Sequence, residues 1–322
     1  MAPPAAPLVA VVGPTAAGKS ALALRLARAR SGEIVSCDSL QVYRGLDIGS
    51  AKPTPEERSE VRHHLVDVAD PGEAFSAAAY ARLARAALGE IAGRGGLAIV
   101  AGGTGLYLRA LLQGLFEGPS RDEGLRGRLE GLAERFGDAR LHRLLARVDP
   151  EAGARIRPRD RVRVVRALEV YRLTGRPISD QQRGGAEPLQ GFRRLVVVLD
   201  PDRAALRKAV EARTREMLAR GLVDEVRGLL ERGYGAELRP LRAIGYRQAV
   251  AVVRGEMTVA EAEDAMVTET MRLAKRQRTW FRNQQPDAEW FTHADEALAA
   301  VLRWLEEAPA EGPGGRGGRT PS

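Results

Sequence analysis

Cysteine, histidine and lysine are all scarce in this chain of 322 residues. The one cysteine, Cys37, excludes an internal disulfide and fits a reducing compartment. Four histidines, with no CxxC or HExxH spacing, give no pattern for a zinc site. Nearly all basic residues are arginine, and the four lysines are Lys19, Lys52, Lys208 and Lys275.

Long hydrophobic runs are also missing. No apolar stretch reaches the roughly 18 residues that a membrane-spanning helix needs. The first apolar run, "LVAVVG", has no basic leader before it, so it predicts a strand and not a signal peptide. We therefore expect a soluble, cytoplasmic protein that does not bind a membrane. As a separate expectation, the protein acts as a monomer. The formal net charge of +8 permits a polyanionic partner without requiring one.

A phosphate-binding loop is the clearest motif present. The stretch "GPTAAGKS" fits GxxxxGK[ST], follows a predicted strand and opens a predicted helix, which is the context that this motif needs. Backbone amides around residues 16–19 would cradle a diphosphate, Lys19 would add a charge, and the Ser20 hydroxyl would ligate Mg²⁺. The predicted phosphate-binding residues are Gly13, Pro14, Thr15, Ala16, Ala17, Gly18, Lys19 and Ser20.

Short strands alternate with helices in the first part of the chain. Predicted strands at 8–13, 33–38 and 97–103, with helices between them, indicate a parallel sheet with right-handed crossovers. Strands then disappear in favour of arginine-rich helices, and one returns at 194–200. The prediction is an α/β fold, a P-loop NTPase-like parallel-sheet core with an inserted all-helical domain. Its parts are a discontinuous core at 1–117 and 195–305, a helical insertion at 118–194, and a disordered Gly/Pro-rich tail at 306–322.

Polar residues follow several of these strands. Ligands of open parallel sheets bind beyond the carboxyl ends of the strands, so Asp38 and Thr104 should lie near the phosphate loop. From position alone, Asp38 serves equally well as a catalytic group or as a cap for the following turn. Asp200 ends the returning strand, where it is either a metal ligand or a helix cap.

Six motifs, in order, resemble the bacterial tRNA dimethylallyltransferase (isopentenyl-tRNA transferase) family. They are "GPTAAGKS", "SCDSLQVYRGLDIGSAKPT", "AGGTGLYLRALLQGL", "RALEVYRLTGRPIS", "RAIGYRQA" and "KRQRTWFRNQ". The resemblance implies transfer of a dimethylallyl group from its diphosphate to N6 of adenosine 37, beside the tRNA anticodon, with a requirement for Mg²⁺.

The resemblance also implies roles for individual residues. Asp38 would be the general base for the N6 proton, and Thr104 would help to fix the base. Lys19, Arg213, the loop amides and Mg²⁺ on Ser20 would stabilise the departing diphosphate. Without the family, Arg213 is best explained as a solvated helix arginine.

Adenosine 37 would have to leave its stack to reach the loop, so the anticodon stem-loop needs a broad docking surface. The positions matching the tRNA contacts of the family are Asp38, Ser39, Leu40, Gln41, Thr104, Arg126, Arg159, Asp160, Arg161, Val162, Arg163, Arg242, Ala243, Ile244, Gly245, Tyr246, Arg247, Lys275, Arg276, Gln277, Arg278, Thr279, Trp280, Phe281 and Arg282. Helical spacing places Lys275, Arg278 and Arg282 on one basic stripe, whereas Trp280 or Phe281 suits core packing.

Two of these positions depart from the family pattern. The family often carries Asn where Arg159 stands and Gln where Val162 stands. Arg159 can contact a phosphate instead, but Val162 cannot hydrogen-bond to a base edge.

Two other functions use the same motifs. A P-loop nucleotide or small-molecule kinase would bind ATP and Mg²⁺ in the loop, and an RNA-binding module would use the loop only for regulation. Two assays distinguish these alternatives. The transferase would form product from a prenyl donor and leave ATP intact, whereas the kinase would hydrolyse ATP and the RNA-binding module would form no prenylated product.

Overall fold

The structure is a computed structural model that describes residues 5–116, 118–184 and 187–307. The described residues of Met1–Leu111 and Leu189–Ser322 form one compact unit, and those of Leu112–Pro188 form another. Of the predicted tail at 306–322, Glu306 still belongs to the last helix, and the residues from 308 onward lie outside the described ranges.

Six strands in the described ranges form a single parallel sheet in the first unit. Its strand order is β3-β2-β4-β1-β5-β6, so β1 lies between β4 and β5. Every recorded pairing is parallel, which confirms the predicted α/β class. The strands are β1 (Ala6–Val12), β2 (Glu33–Ser36), β3 (His63–His64), β4 (Ala98–Gly102), β5 (Phe192–Leu199) and β6 (Glu289–Phe291).

Helices connect these strands and also build the second unit. Numbered along the chain, they are α1 (Lys19–Arg30), α2 (Pro55–Glu60), α3 (Ala77–Gly93), α4 (Gly105–Gln113), α5 (Glu123–Phe136), α6 (Asp138–Val148), α7 (Pro150–Arg155), α8 (Arg161–Thr174), α9 (Ile178–Gly184), α10 (Arg203–Ala219), α11 (Leu222–Glu231), α12 (Tyr246–Val253), α13 (Val259–Gln284) and α14 (Ala294–Glu306), with a short 3₁₀ helix at Arg239–Arg242.

The core of the first unit forms where β1 and β5 pack against α1 and α14. Leu8, Val9, Val11 and Val12 of β1 are fully buried, as expected of a central parallel strand with both faces covered. Leu22 and Leu26 of α1 lie one turn apart and are also fully buried.

The sequence did not reveal the two edge strands. β3 has two residues and β6 has three, so neither offers enough alternation to predict a strand. The strand β5 begins at Phe192, so residues 192–194, which were assigned to the insertion, belong to the sheet. The helix α13 ends at Gln284, two residues before Pro286, as expected because a helix usually ends at or before the residue that precedes a proline.

The second unit contains α5 to α9 around its own apolar core. Leu141 and Leu145 of α6 pack there with Val164 and Leu168 of α8. Asp149 is 1% exposed, yet it accepts hydrogen bonds from the Ala152 amide and from Ser179, which satisfies the buried carboxylate.

No helix in the described ranges is both long enough and apolar enough to cross a bilayer. The longest, α13, carries charged residues along its length.

Candidate active site

The phosphate loop joins the end of β1 to the start of α1. Gly13 has φ +139°, and a Cβ there would lie 2.2 Å from the Leu199 carbonyl oxygen, so only glycine fits. Gly18 caps α1 with φ 89°, and no side chain caps its amides. Backbone N–H groups at this helix end are therefore available to an anion.

Lys19 lies in the first turn of α1, where its ammonium donates to the Pro14 carbonyl oxygen at 2.6 Å. Burial lowers the pKa of Lys19 to about 8, and the positive charge of Arg213 adds to this shift. The Asp38 carboxylate opposes both effects. A bound anion would restore full protonation of this lysine.

Arg213 extends from α10 to the same cavity as Lys19. No hydrogen bond or ion pair of Arg213 is recorded among the described residues, although ion pairs are frequent elsewhere in the chain. Burial lowers the pKa of Arg213, and the nearby carboxylates of Asp38 and Glu216 only partly compensate. Two adjacent cations without a neutralising contact form a site for a polyanion.

The cavity that these groups line has a volume of about 600 Å³, and every lining residue belongs to the first unit. Its walls come from the loops after β1, β2 and β4, from α10 and α13, and from residues 239–247. The strand ends and the phosphate loop therefore converge as the topology predicts.

Asp38 lies on the wall of this cavity, just after β2. Its Oδ1 accepts hydrogen bonds from the Leu40 amide at 2.8 Å and the Gln41 amide at 3.4 Å. The turn-capping function left open by the sequence is thus present, and it uses one carboxylate oxygen. The second oxygen, Oδ2, has no recorded partner among the described residues and is available to a ligand.

Thr104 lies in the loop after β4 and faces the same cavity. Its amide donates to the Cys37 carbonyl oxygen, and its hydroxyl oxygen accepts the Ser39 amide at 3.1 Å. No acceptor for the hydroxyl proton is recorded among the described residues, so that proton is available to a ligand. A Cβ at Gly102 would lie 2.1 Å from the Cys37 carbonyl oxygen, so the glycine permits the close approach of the two loops.

Most of the predicted tRNA positions in the first unit line this cavity. Those on its walls are Asp38, Ser39, Leu40, Gln41, Thr104, Arg242, Ala243, Ile244, Gly245, Arg247, Arg276, Gln277, Trp280 and Phe281. Of the phosphate loop, Thr15, Ala16, Lys19 and Ser20 line it. Lys275, Thr279 and Arg282 are exposed on α13.

Three predicted tRNA positions are buried and hold the protein together. Tyr246 is 0% exposed, and its hydroxyl donates to Glu225 at 2.8 Å. Phe281 is 1% exposed and packs edge-on against Trp280. In the second unit, the side chain of Arg126 is only 12% exposed because it is bound to the fully buried Glu169. In this structure these three side chains are engaged in contacts within the protein, and their direct contact with tRNA stays a prediction.

Two arginines of the predicted basic stripe on α13 already contact a carboxylate within the protein. Arg278 forms an ion pair with Asp200 and donates to the Pro201 carbonyl oxygen. Arg282 lies 3.6 Å from the same carboxylate. Asp200, left open as a metal ligand or a cap, therefore fixes α13 to the end of β5, while Asp202 caps α10.

The insertion positions cluster at the start of α8. Asp160 caps this helix through the Arg163 amide, and Arg161 pairs with Asp138 at 2.7 Å. Arg159 and Arg163 are exposed, and Val162 is 73% exposed. An apolar side chain this exposed has no packing function in the second unit.

Several cavity residues carried no sequence signal. Tyr107 stacks on Tyr80 with ring centroids 4.3 Å apart and lies 6.3 Å from Phe75, which gives the cavity an aromatic wall. These residues sit in predicted helical or loop stretches with nothing to distinguish them from core. Arg239 also faces the cavity and resembles any other surface arginine in the sequence.

No group of three or more His, Cys, Asp or Glu residues among the described residues is arranged to hold a metal ion. A divalent cation at this site would therefore take most of its ligands from a bound substrate and water, as Mg²⁺ commonly does.

The geometry defines a class first: an α/β protein with a phosphate loop at the carboxyl edge of a parallel sheet. Comparison with known proteins then gives the family. The model of the IPP transferase family matches residues 41–284, and the chain belongs to that family.

Individual relatives are similar over nearly the full chain. The chain is 48% identical to tRNA dimethylallyltransferase 2 of Syntrophus aciditrophicus (strain SB), over 92% of this chain and 94% of that protein. It is 50% identical to tRNA dimethylallyltransferase of Solibacter usitatus (strain Ellin6076), over 93% and 99% respectively. Among solved structures, full-length tRNA isopentenylpyrophosphate transferase from Bacillus halodurans is 38% identical, with a TM-score of 0.67, covering 93% of this chain and 95% of that chain.

Proposed function

We propose that this protein transfers a dimethylallyl group from dimethylallyl diphosphate to N6 of adenosine 37 in the tRNA anticodon loop, and that diphosphate is released. The main support for this proposal is the set of charged side chains that line one cavity. Asp38 shares its wall with Lys19 and Arg213, two cations for which no carboxylate contact is recorded among the described residues.

The cationic side of the cavity suits the leaving group. As the C1–O bond of the allylic diphosphate breaks, negative charge grows on the diphosphate oxygens. The ammonium of Lys19, the guanidinium of Arg213 and the free amides at the start of α1 are in place before the reaction, so they stabilise this charge without reorganising.

The same cavity also suits the nucleophile. The adenine N6 lone pair is delocalised into the ring, so N6 must lose a proton as it bonds to the allylic carbon. We assign this proton to Oδ2 of Asp38. The Thr104 hydroxyl, on the same cavity wall, would donate a hydrogen bond to the adenine. The Asp38 carboxylate is held in place for this step, because its other oxygen accepts hydrogen bonds from backbone amides of the turn that follows.

The cofactor of the proposed reaction is Mg²⁺. The Ser20 hydroxyl, at the start of α1 and on the cavity wall, is an oxygen donor of the kind that Mg²⁺ accepts, and the remaining ligands would come from diphosphate oxygens and water. When bound, the ion would neutralise charge on the leaving diphosphate.

The tRNA would be bound through both units. In the first unit, exposed Lys275 and the cavity-lining Arg242 and Arg276 are the proposed contacts, and in the second unit the exposed arginines at the start of α8 are. These cations suit a phosphate backbone, so binding should weaken with rising salt.

The relatives named above are transferases acting on tRNA by name, and none supports the kinase alternative. An assay can test the transferase directly. The protein is incubated with labelled dimethylallyl diphosphate, Mg²⁺ and unmodified tRNA, and the tRNA is digested to nucleosides.

The expected product is N6-dimethylallyladenosine from position 37, with ATP hydrolysis at background. A tRNA in which position 37 is guanosine serves as the control. Robust ATP hydrolysis that tRNA does not affect, without labelled nucleoside, would support the kinase instead. Binding of tRNA with no product from any prenyl donor would support the RNA-binding module.

A further inference from the structure

Gln277 forms a bridge between two loops of the candidate active site. From α13, its Oε1 accepts the Thr15 amide of the phosphate loop at 2.9 Å. Its Nε2 donates to the Gly103 carbonyl oxygen at 2.9 Å, beside Thr104. One carboxamide therefore joins the loop after β1 to the loop after β4.

The chemistry of the bridge explains the residue type. The side chain must accept a hydrogen bond from an N–H group and donate one to a carbonyl, and it must do so without a charge beside an anion cradle. An amide meets all three requirements, whereas a carboxylate cannot donate and an ammonium cannot accept. The reach from α13 to both loops requires the longer side chain of glutamine.

The loops are shaped to admit α13. A Cβ at Gly103 would lie 2.5 Å from Nε2 of Gln277, and a Cβ at Gly105 would lie 2.4 Å from the ring of Trp280. Two glycines thus meet two side chains that are one helical turn apart on α13. The helix is in direct contact with the loop that carries Thr104.

We propose that Gln277 is a positioning residue, which sets the distance between the diphosphate cradle and the loop that carries Thr104. This inference rests on the proposed transferase function. It replaces the sequence-based assignment of Gln277 as a tRNA contact, because both ends of its carboxamide are already bound within the protein.

The first test is Gln277→Met, which keeps the length of the side chain and removes both hydrogen bonds. Misplaced reacting groups should lower kcat by about 10- to 100-fold. The loosened phosphate loop should weaken binding of inorganic pyrophosphate, measured by calorimetry without tRNA, by roughly 5- to 10-fold. Affinity for an anticodon stem-loop should not change. The matched control is Gln284→Met on the same helix, whose side chain has no recorded hydrogen bond to either loop in the described ranges.

The second test leaves Gln277 in place. Gly103→Ala would push its carboxamide away and should reproduce the losses in kcat and pyrophosphate binding. If Gln277→Met does not fold, Gly103→Ala alone tests whether the Gln277 bridge positions the two loops.

The outcomes separate the two proposals. If the unaltered protein forms no labelled nucleoside, the transferase proposal fails. If it forms product and both variants keep normal kcat and pyrophosphate affinity, only the bridge is overturned. Loss of stem-loop affinity with normal pyrophosphate binding would return Gln277 to the tRNA contacts.

Discussion

Arginines bound to a buried carboxylate and arginines left without one serve opposite purposes in this protein, and each unit supplies an example. In the second unit, Arg126 and Arg166 both bind the buried carboxylate of Glu169. Burial alone would raise the pKa of Glu169, but hydrogen bonds from Arg166 and the Asp122 amide, with the charge of Arg126, hold it below its ordinary value. In the first unit, Arg213 has no such partner among the residues that the structure describes, and it faces a cavity beside Lys19.

The comparison shows what makes a basic residue available to a ligand. A neutralised arginine contributes to folding, because its charge and donors are already satisfied. An arginine that stays unsatisfied beside another cation raises the free energy of the ligand-free protein, and a bound polyanion removes that cost. Availability depends on the nearest carboxylate and not on residue type.

The largest effect is expected at the carboxylate that faces these free cations. Asp38→Asn keeps an Oδ1 acceptor for the Leu40 and Gln41 amides but cannot take the N6 proton. Single-turnover product formation should fall by about 10²- to 10⁴-fold, with thermal stability nearly unchanged.

Asp38→Ala provides the comparison, because it loses both the proton acceptor and the turn. It should lose the same activity and also about 1 kcal/mol of stability. If Asp38→Asn is fully active while Asp38→Ala is only less stable, Asp38 is a cap and nothing more.

The second prediction sets the two kinds of arginine against each other. Arg213→Ala should weaken pyrophosphate binding by about 10- to 100-fold, because a charge-assisted contact is lost. Its thermal stability should not fall, since one of two like charges is removed. Calorimetry and thermal unfolding measure the two quantities.

Arg126→Ala should behave in the opposite way. It leaves Glu169 buried with fewer partners, so the free energy of unfolding should fall by roughly 1–3 kcal/mol. Pyrophosphate affinity should stay normal. If Arg213→Ala and Arg126→Ala weaken pyrophosphate binding equally, the distinction between free and neutralised arginines does not predict ligand binding.

The smallest effect expected is a pH dependence from Lys19. Its pKa is lowered to about 8 in the free protein, so pyrophosphate affinity should fall as pH rises above that value, by up to about tenfold per pH unit. Because pyrophosphate itself titrates, affinity is compared with that of Lys19→Arg, which stays charged. Parallel profiles for the two proteins would show that Lys19 does not titrate near pH 8.

Free-protein stability should shift in the other direction. The unfolded lysine titrates near 10.5, so between about 8 and 10.5 the unfolded chain binds more protons than the folded one. The contribution of Lys19 to stability therefore increases with pH across this window and is least favourable below it.

Local patterns were sufficient for the phosphate loop and the class of fold. A loop that binds phosphate through its own backbone must be contiguous, and a buried parallel strand reads as an apolar run, so "LVAVVGPTAAGKS" determined both β1 and the cradle. The edge strands β3 and β6 were too short to produce a pattern.

The sequence by itself determined that a phosphate-loop motif would lie at the carboxyl edge of a parallel sheet, because strand, loop and helix are adjacent in the chain. Only the tertiary structure decided which cations remain free, which face of Asp38 is open, and that Gln277 meets Thr15 across 262 positions. Pairing over such a distance depends on how helices dock against the sheet, and no local pattern of residues records that docking.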